Sequence, residues 1–92
     1  MNKVIVFAGT TEGREICSFL KKYEIASLAC TATEYGKCRI EEGGALTVRS
    51  GILTEEEMEQ LFGEEQPEMV IDATHPYADL VSENILSACE KA

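Results

Sequence analysis

The N-terminal segment contains the feature that most constrains the fold: a short apolar stretch, a turn with two glycines, and an amphipathic stretch. Val4–Ala8 is apolar and rich in β-branched residues, which favours a strand buried on both faces of a parallel sheet. The stretch that follows repeats apolar residues at helical spacing, and these are Ile16, Phe19, Leu20 and Tyr23. The sequence therefore predicts a strand, a tight turn and a helix whose apolar stripe faces the sheet.

The predicted turn has the features of an anion-binding loop. Thr10 or Thr11 can cap the helix, and Glu12 suits its positive first turn. Unpaired backbone N–H groups and the helix dipole would then point at one spot, where a pyrophosphate can bind. The dinucleotide fingerprint G-x-G-x-x-G contains three glycines, whereas this turn contains only Gly9 and Gly13. A structural role therefore stays open, with Gly9 at a positive-φ turn and Gly13 allowing close approach of the helix to the strand.

Composition limits the number of domains and the classes of partner. The chain has 92 residues, 45% of them hydrophobic, which is enough for one small domain. Eight basic and seventeen acidic residues give a net charge of −9, which opposes binding to nucleic acid or to an anionic membrane. The sequence has neither an apolar run as long as a membrane span nor the pattern of a signal peptide, so a cytoplasmic protein is expected.

The four cysteines show no C-x-x-C pairing, so neither a metal site nor a disulfide framework is predicted. We expect buried, reduced thiols at Cys17 in the first helix, Cys30 in the second strand and Cys89 in the last helix. Only Cys38 is expected to be exposed.

A polar loop follows the second predicted strand, Ile25–Thr31, where a dinucleotide domain binds the adenosine ribose. Glu34 lies near the spacing of the acid that binds the ribose of NAD. Hydroxyl and cationic side chains in the same region suit a 2′-phosphate instead, and these are Thr31, Thr33, Lys37 and Arg39. The choice between NAD and NADP therefore stays open, as does a solvated loop with Gly36 at a left-handed turn.

The rest of the chain predicts two further strands and two further helices. Ala45–Arg49 is the third strand, and a capping box at Thr54–Glu57 opens a helix that Gly63 can end. The buried stripe of that helix consists of Met58, Leu61 and Phe62. Glu68–Ala73 is the fourth strand, of the buried parallel type. Right-handed crossovers then predict a Rossmann-like α/β domain over residues 1–92, with four parallel strands ordered 3-2-1-4 and three flanking helices.

A second polar loop, Asp72–Tyr77, joins the fourth strand to the last helix, with Pro76 in the first helical turn. The sheet-facing stripe of this helix consists of Ala78, Val81, Ile85, Ala88 and Cys89. Because the carboxyl ends of strands 1 and 4 flank one crevice, Thr74 and His75 should lie near Gly9. An alternative makes Thr74 a helix cap and His75 an exposed loop residue.

Three segments in this order resemble the precorrin-6A reductase family: Phe7–Arg14, Ala32–Gly36 and Val70–Ala78. The resemblance implies a Rossmann-like N-terminal half of an enzyme with two such halves. It further implies transfer of hydride from NADPH or NADH to precorrin-6A, or to its cobalt-containing counterpart, in cobalamin biosynthesis.

The resemblance also implies roles for individual residues. Gly9, Thr10, Thr11 and Glu12 would line the cofactor phosphates or ribose, and the loop at 31–35 would face the adenosine. Thr74, His75 and Pro76 would border the nicotinamide, with His75 positioning the substrate or donating a proton. The residues expected to contact the cofactor are Gly9, Thr10, Thr11, Glu12, Gly13, Thr31, Thr33, Thr74, His75 and Pro76.

By the same resemblance the chain stops before a fifth strand and the second half of the family. A tetrapyrrole is too large for the rim of one such domain, so we expect a cofactor-binding half that is inactive alone. The bare edge at Met69–Asp72 would invite self-association. Two alternatives are a non-catalytic α/β regulatory module and an oligomerisation domain, neither of which requires specific binding of a nicotinamide dinucleotide.

Overall fold

The computed structural model describes residues 2–92, in which four strands alternate with four helices. In chain order these are β1 Val4–Ala8, α1 Thr11–Lys22, β2 Ser27–Thr31, α2 Glu34–Cys38, β3 Leu46–Ser50, α3 Glu55–Glu65, β4 Met69–Ala73 and α4 Asp79–Lys91. The first predicted strand has the bounds of β1, and the other three differ from these bounds by one or two residues. The short helix α2 lies where a loop was expected, and Gly36 is inside it rather than at a left-handed turn.

All four strands are parallel and lie in the order β3-β2-β1-β4, which confirms the predicted topology. β1 is central and buried along its whole length. In register, Ile5 of β1 lies between Leu28 of β2 and Val70 of β4. Ala8 pairs with Ala73, so the loops that follow β1 and β4 begin side by side.

The two faces of the sheet are covered by different helices. Val6, Cys17, Ile40 and Val48 belong to the core on the face covered by α1. On the other face, α3 and α4 contribute Met58, Phe62, Ile85 and Ala88 to a second core. Phe7 contacts Phe62 there in an edge-to-face arrangement, with ring centroids 6.1 Å apart. The sheet is therefore sandwiched between helical layers, and its strand ends stay accessible.

Side-chain caps account for three of the helix starts. The hydroxyl of Thr10, rather than Thr11, accepts from the Gly13 N–H at 3.1 Å, and Thr33 caps α2 in the same way. Thr54 and Glu57 form the predicted capping box, with reciprocal bonds of 2.8 and 3.1 Å. The caps at Thr10 and Thr54 were predicted from their hydroxyls, whereas the cap at Thr33 was not, because α2 itself was not predicted.

Two helix boundaries differ from the predictions. α3 runs through Gly63 to Glu65 and is followed by Gln66, the C-cap, which adopts the left-handed conformation with φ 47°. Pro76 is not in the first turn of α4, because the Ala78 N–H donates to the His75 carbonyl at 2.9 Å and closes a turn first. Thr74 therefore does not cap α4, which begins after Ala78 without a side-chain cap.

The predicted stripes of α1 and α4 are confirmed in part, because Leu20 of α1 and Ile85 and Ala88 of α4 are buried. Phe19 and Tyr23 are 55% and 58% exposed and stack on each other with ring centroids 4.7 Å apart. Gly13 and Cys17, which were not in the predicted stripe, are buried beside Leu20. The prediction was wrong for Phe19 and Tyr23, and the close approach of α1 to the strands at Gly13 is possible because this residue has no side chain. Cys89 is exposed rather than buried, whereas Cys17, Cys30 and Cys38 lie as expected.

The two edges of the sheet differ in their protection. Beside β3, the Val48 N–H donates to the Glu42 carboxylate at 2.8 Å, and Gly43 bridges to Leu46. β4 pairs only with β1 in the part of the chain that is described, and Met69 is 56% exposed. β4 is thus an edge strand, as the predicted strand order implied, but its residues are exposed or half-buried rather than buried on both faces as its apolar sequence predicted. Among residues 2–92, no helix has both the length and the apolar character needed to cross a bilayer.

Candidate functional site

A cavity of about 440 Å³ opens at the carboxyl ends of the strands, and we call it the strand-end cleft. It lies where ligands bind in open parallel sheets, because the connections diverge there and leave a crevice. Each strand contributes a following loop to its lining, and representative residues are Gly9, Ala32, Ile52 and Thr74. Buried Phe7 and Met58 are also among the lining residues, so the cleft reaches the apolar core between the sheet and α3.

Six of the ten residues expected to contact a cofactor line the strand-end cleft. They are Gly9, Thr10, Thr31, Thr33, Thr74 and His75. Thr11 and Glu12 lie in the first turn of α1 and are exposed outside the cleft, whereas Gly13 is buried against the strands. Pro76 is exposed in the turn before α4 and does not line the cleft.

The Thr10 hydroxyl joins the two loops that meet at the centre of the cleft. It donates to the Ala73 carbonyl at the end of β4, at 2.9 Å, and accepts from the Gly13 N–H. One side chain therefore caps α1 and ties the β1–α1 loop to β4. Because both bonds are internal, the contribution of Thr10 is chiefly to hold the loop geometry.

Gly9 and Gly13 differ in what an added side chain would meet. Gly9 does not have a positive φ, so the expected left-handed turn is wrong. A Cβ on Gly9 would have only the Thr74 Cα nearby, at 3.9 Å, and would stand at the wall of the cleft. A Cβ on Gly13 would lie 3.1 Å from Ala8 and 3.3 Å from Ala73. Gly9 thus leaves backbone open to a ligand, and Gly13 lets α1 approach the strands.

Asp72 organises the loop on the β4 side of the cleft. Its carboxylate accepts from the Thr74 N–H at 3.0 Å, from the Thr74 hydroxyl at 2.6 Å and from the Ser82 hydroxyl. Partial burial raises the pKa of Asp72, but the hydrogen bonds from Ser82 and Thr74 outweigh it, so the net pKa is lowered. Asp72 is therefore ionised near neutral pH and anchors the loop to α4.

His75 lies on the rim of the cleft without a carboxylate partner in the described chain. Its Nδ1 accepts from the Tyr77 N–H at 3.3 Å, and the two rings are 5.0 Å apart. The carboxylate of Asp72, three residues earlier in the chain, is bonded to Thr74 and Ser82 and does not orient the imidazole. With Nδ1 as acceptor, Nε2 is the donor nitrogen of the neutral imidazole.

Several lining residues escaped the sequence analysis. Arg14 lines the cleft from α1, and its Nη2 donates to the Thr11 hydroxyl at 3.1 Å. Ile52 and Leu53 line it from the loop after β3, whereas Tyr35, which lines it from α2, belongs to the segment 31–35 that was expected to face the adenosine. Ile52 and Leu53 follow a predicted strand, so the strand-end rule that identified the other loops could have found them. Arg14 had no comparable signal.

The residues proposed to distinguish NAD from NADP separate in space. Arg39 lines the cleft, whereas Lys37 and Glu34 do not. The Glu34 carboxylate accepts from the Ser50 hydroxyl at 2.7 Å. Cys30 lines the cleft too, but burial raises its pKa to about 11, and the Arg49 charge offsets only part of that effect. Cys30 is thus a neutral thiol rather than a nucleophile. In residues 2–92, no three His, Cys, Asp or Glu side chains cluster as a metal site would require.

The parallel sheet, the open glycine at the β1–α1 turn and the strand-end cleft define a Rossmann-like α/β domain with a cleft at its topological switch point. The sequence model of the family described as Precorrin-6x reductase CbiJ/CobK matches residues 3–92. The chain belongs to this family, which confirms the resemblance of its three segments.

Individual relatives agree with the family assignment. The chain is 38% identical over 89 residues to a cobalt-precorrin-6A reductase of Salmonella typhimurium, covering 97% of this chain and 34% of that protein. It is 37% identical to the cobalt-precorrin-6A reductase of Methanothermobacter thermautotrophicus, covering 96% and 30%. A solved structure described as CobK precorrin-6A reductase matches with TM-score 0.82 and 27% identity, covering 99% of this chain and 36% of that one. The chain spans about a third of the length of these relatives.

Proposed function

We propose that this chain is the cofactor-binding part of a precorrin-6A or cobalt-precorrin-6A reductase and that it holds NADP or NAD in the strand-end cleft. The observation that carries the proposal is the position of Gly9. It leaves backbone uncovered at the wall of the cleft, beside the N-terminus of the twelve-residue helix α1. Backbone N–H groups and the positive end of a helix are the groups that hold a pyrophosphate in related folds.

The lining residues support one direction for the dinucleotide. With the pyrophosphate at Gly9 and Thr10, the adenosine extends over the ends of β2 and β3, where Thr31 and Thr33 line the cleft. The nicotinamide then lies toward Thr74 and His75, next to the loop that Asp72 holds in place. The bound nicotinamide supplies the hydride that is added to a ring double bond of the tetrapyrrole.

For His75 we propose a positioning role toward a substrate carboxylate. The imidazole is exposed on the rim, and its only hydrogen bond in the described chain is a long one from a backbone N–H. A general acid is usually oriented by a firmer partner, and water can also protonate the reduced ring. His75→Ala in a whole reductase should raise KM about 10-fold with little change in kcat. A fall in kcat of about 100-fold at saturating substrate would show proton donation instead.

Turnover requires a second wall for the substrate. A cavity of about 440 Å³ is the size of a site for one drug-sized ligand and cannot also enclose a tetrapyrrole. We therefore propose that residues 1–92 alone bind the dinucleotide but reduce no corrin precursor. Enzyme-dependent oxidation of NADPH or NADH by this chain with the precursor would contradict that statement.

Isothermal titration with NADPH and with NADH tests the cofactor-binding proposal directly. Saturable binding of at least one dinucleotide is expected. If both bind, each should compete with the other for the cleft. Absence of binding to both, in protein shown to be folded by circular dichroism, would refute the proposal and favour a non-catalytic α/β module.

We also propose that the outer edge of β4 pairs with a second copy of this chain in solution. β4 has no strand beyond it in the described chain, and it lacks the carboxylate that covers the β3 edge at Val48.

A further inference from the structure

A second groove, of about 450 Å³, lies between α1 and the segment 39–41, and we call it the basic groove. Its cationic residues are Arg14, Lys21, Lys22 and Arg39. These are half of the eight Lys and Arg residues in a chain of net charge −9. Concentrating so much of the scarce positive charge in one groove is unfavourable unless an anion offsets the repulsion.

The cations of the basic groove are only slightly neutralised by the protein itself. Glu41 is its one acidic lining residue and lies 3.5 Å from Lys21, with its side chain 91% exposed. In residues 2–92 the only other ion pair joins Lys91 to Glu55, far along the chain. The two arginines donate to neutral hydroxyls, Arg14 to Thr11 and Arg39 to Tyr35, each at 3.1 Å. Three cations are therefore without a carboxylate partner in the described structure.

The basic groove adjoins the strand-end cleft. Arg14, Arg39 and Ile40 line both. The shared wall lies on the side of β2 and α2, where the proposed function puts the adenosine. Glu34, the acid that would bind the ribose hydroxyls of NAD, does not line the cleft and is bonded to Ser50. The chemistry that faces this end of the cleft is thus cationic rather than acidic.

We propose that the basic groove is a phosphate-binding subsite. Guanidinium groups bind phosphate oxygens in pairs, and lysines add point charges, so this set suits a phosphoryl dianion. The phosphate has two possible sources: the 2′-phosphate of NADP bound in the cleft, which rests on the proposed function, or a free polyphosphate. A nucleic acid is not the ligand, because the remainder of the acidic chain would repel its backbone.

Titration with inorganic pyrophosphate at low ionic strength tests the subsite. Lys22 lines the basic groove but not the cleft, so Lys22→Gln should weaken pyrophosphate binding about 10-fold while leaving the affinity for NADH unchanged. Lys37→Gln is the matched control, because it removes the same charge nearby without touching the groove. It should alter pyrophosphate affinity by less than about 2-fold.

Comparison of 2′,5′-ADP with 5′-ADP separates the two sources of phosphate. Tighter binding of 2′,5′-ADP, lost in Arg39→Gln, assigns the subsite to the 2′-phosphate of NADP. Equal affinity for the two nucleotides, with pyrophosphate binding that depends on Lys22, assigns it to a free polyphosphate.

The subsite is overturned if pyrophosphate fails to bind and 2′,5′-ADP has no advantage, or if Lys37→Gln weakens binding as much as Lys22→Gln. Failure of both NADPH and NADH to bind, with pyrophosphate still bound through Lys22, would refute the proposed function and leave the subsite standing.

Discussion

At the scale of single residues, Gly13 and Gly63 both lie in helices but differ in the space around them. Comparing their Ala variants therefore tests whether Gly13 is required for packing. Gly13→Ala would place a Cβ 3.1 Å from Ala8, so it should destabilise the fold by roughly 1–2 kcal/mol despite better helix propensity. Gly63→Ala, in α3, has no atom within 4 Å of the new Cβ and should stabilise by about 0.5–1 kcal/mol. Urea unfolding of both variants measures the difference, and equal effects would show that Gly13 is not a packing residue.

Gly9→Ala separates binding from stability. Gly9 does not have a positive φ and has open space around its Cβ position, so the variant should keep the stability of the native protein. The new methyl stands where a phosphate would approach the backbone, so dinucleotide affinity should fall about 10-fold, the loss of one hydrogen bond to a charged group. Calorimetric titration beside a melting curve checks both, with Gly63→Ala as the control. Unchanged dinucleotide affinity would contradict the proposal that a phosphate binds at this turn.

The residue scale also shows where sequence reasoning about the site stopped. The rule that loops meet at the carboxyl ends of parallel strands brought six predicted residues to one cleft, because adjacency there follows from topology. The rule does not predict which of these side chains form hydrogen bonds within the protein. Thr10 donates to Ala73, and Asp72 accepts from Thr74 and Ser82, through pairings that depend on three-dimensional distances. Because the Asp72 carboxylate accepts from Thr74 and Ser82, it does not orient the His75 imidazole.

At the scale of elements, the connection from β4 to α4 should respond to acid. Its anchor, Asp72, has a lowered pKa in the folded protein, so its contribution to stability is present above the unfolded value of about 3.9. The contribution is lost as the pH falls through the folded pKa. Ser82→Ala removes one of the hydrogen bonds that lower this pKa. The free energy of unfolding of this variant should therefore differ less between pH 6 and pH 3 than that of the native protein.

Urea unfolding of Ser82→Ala at a series of pH values measures that difference. Ser18→Ala is the matched control, because Ser18 is an exposed serine within a helix and gains the same helix propensity. The role of Asp72 as an anchor is contradicted if Ser82→Ala and Ser18→Ala have the same pH dependence.

Elements were predicted well where local chemistry and global topology agree. Strand order followed from right-handed crossovers, and the starts of α1 and α3 followed from hydroxyl caps. The buried face of α1 was predicted only in part, because apolar residues at helical spacing do not show which of them, here Phe19 and Tyr23, lie at the exposed margin of the stripe. α2 was missed because a five-residue helix has too little periodicity to distinguish it from a polar loop.

At the scale of the whole molecule, the unequal edges of the sheet predict where copies associate. Glu42 covers backbone beside β3, whereas Met69 at the β4 edge is 56% exposed, and α4, which packs against β4, exposes Leu80 and Leu86. Exposed strand edges with apolar neighbours pair readily with another chain. Sedimentation velocity over a wide concentration range should therefore show reversible self-association of the wild-type chain.

Substitution at the two edges identifies which one is used. Met69→Lys introduces a charge beside the unpaired backbone of β4 and should shift the chain to monomer, because a paired copy would have to desolvate that charge. Thr47→Lys adds the same charge to an exposed position on β3 and should leave association unchanged. A wild-type chain that stays monomeric at every concentration, or equal loss of association in both variants, would exclude pairing through β4. If Met69→Lys alone is monomeric and still binds dinucleotide, association and cofactor binding occupy separate surfaces of the domain.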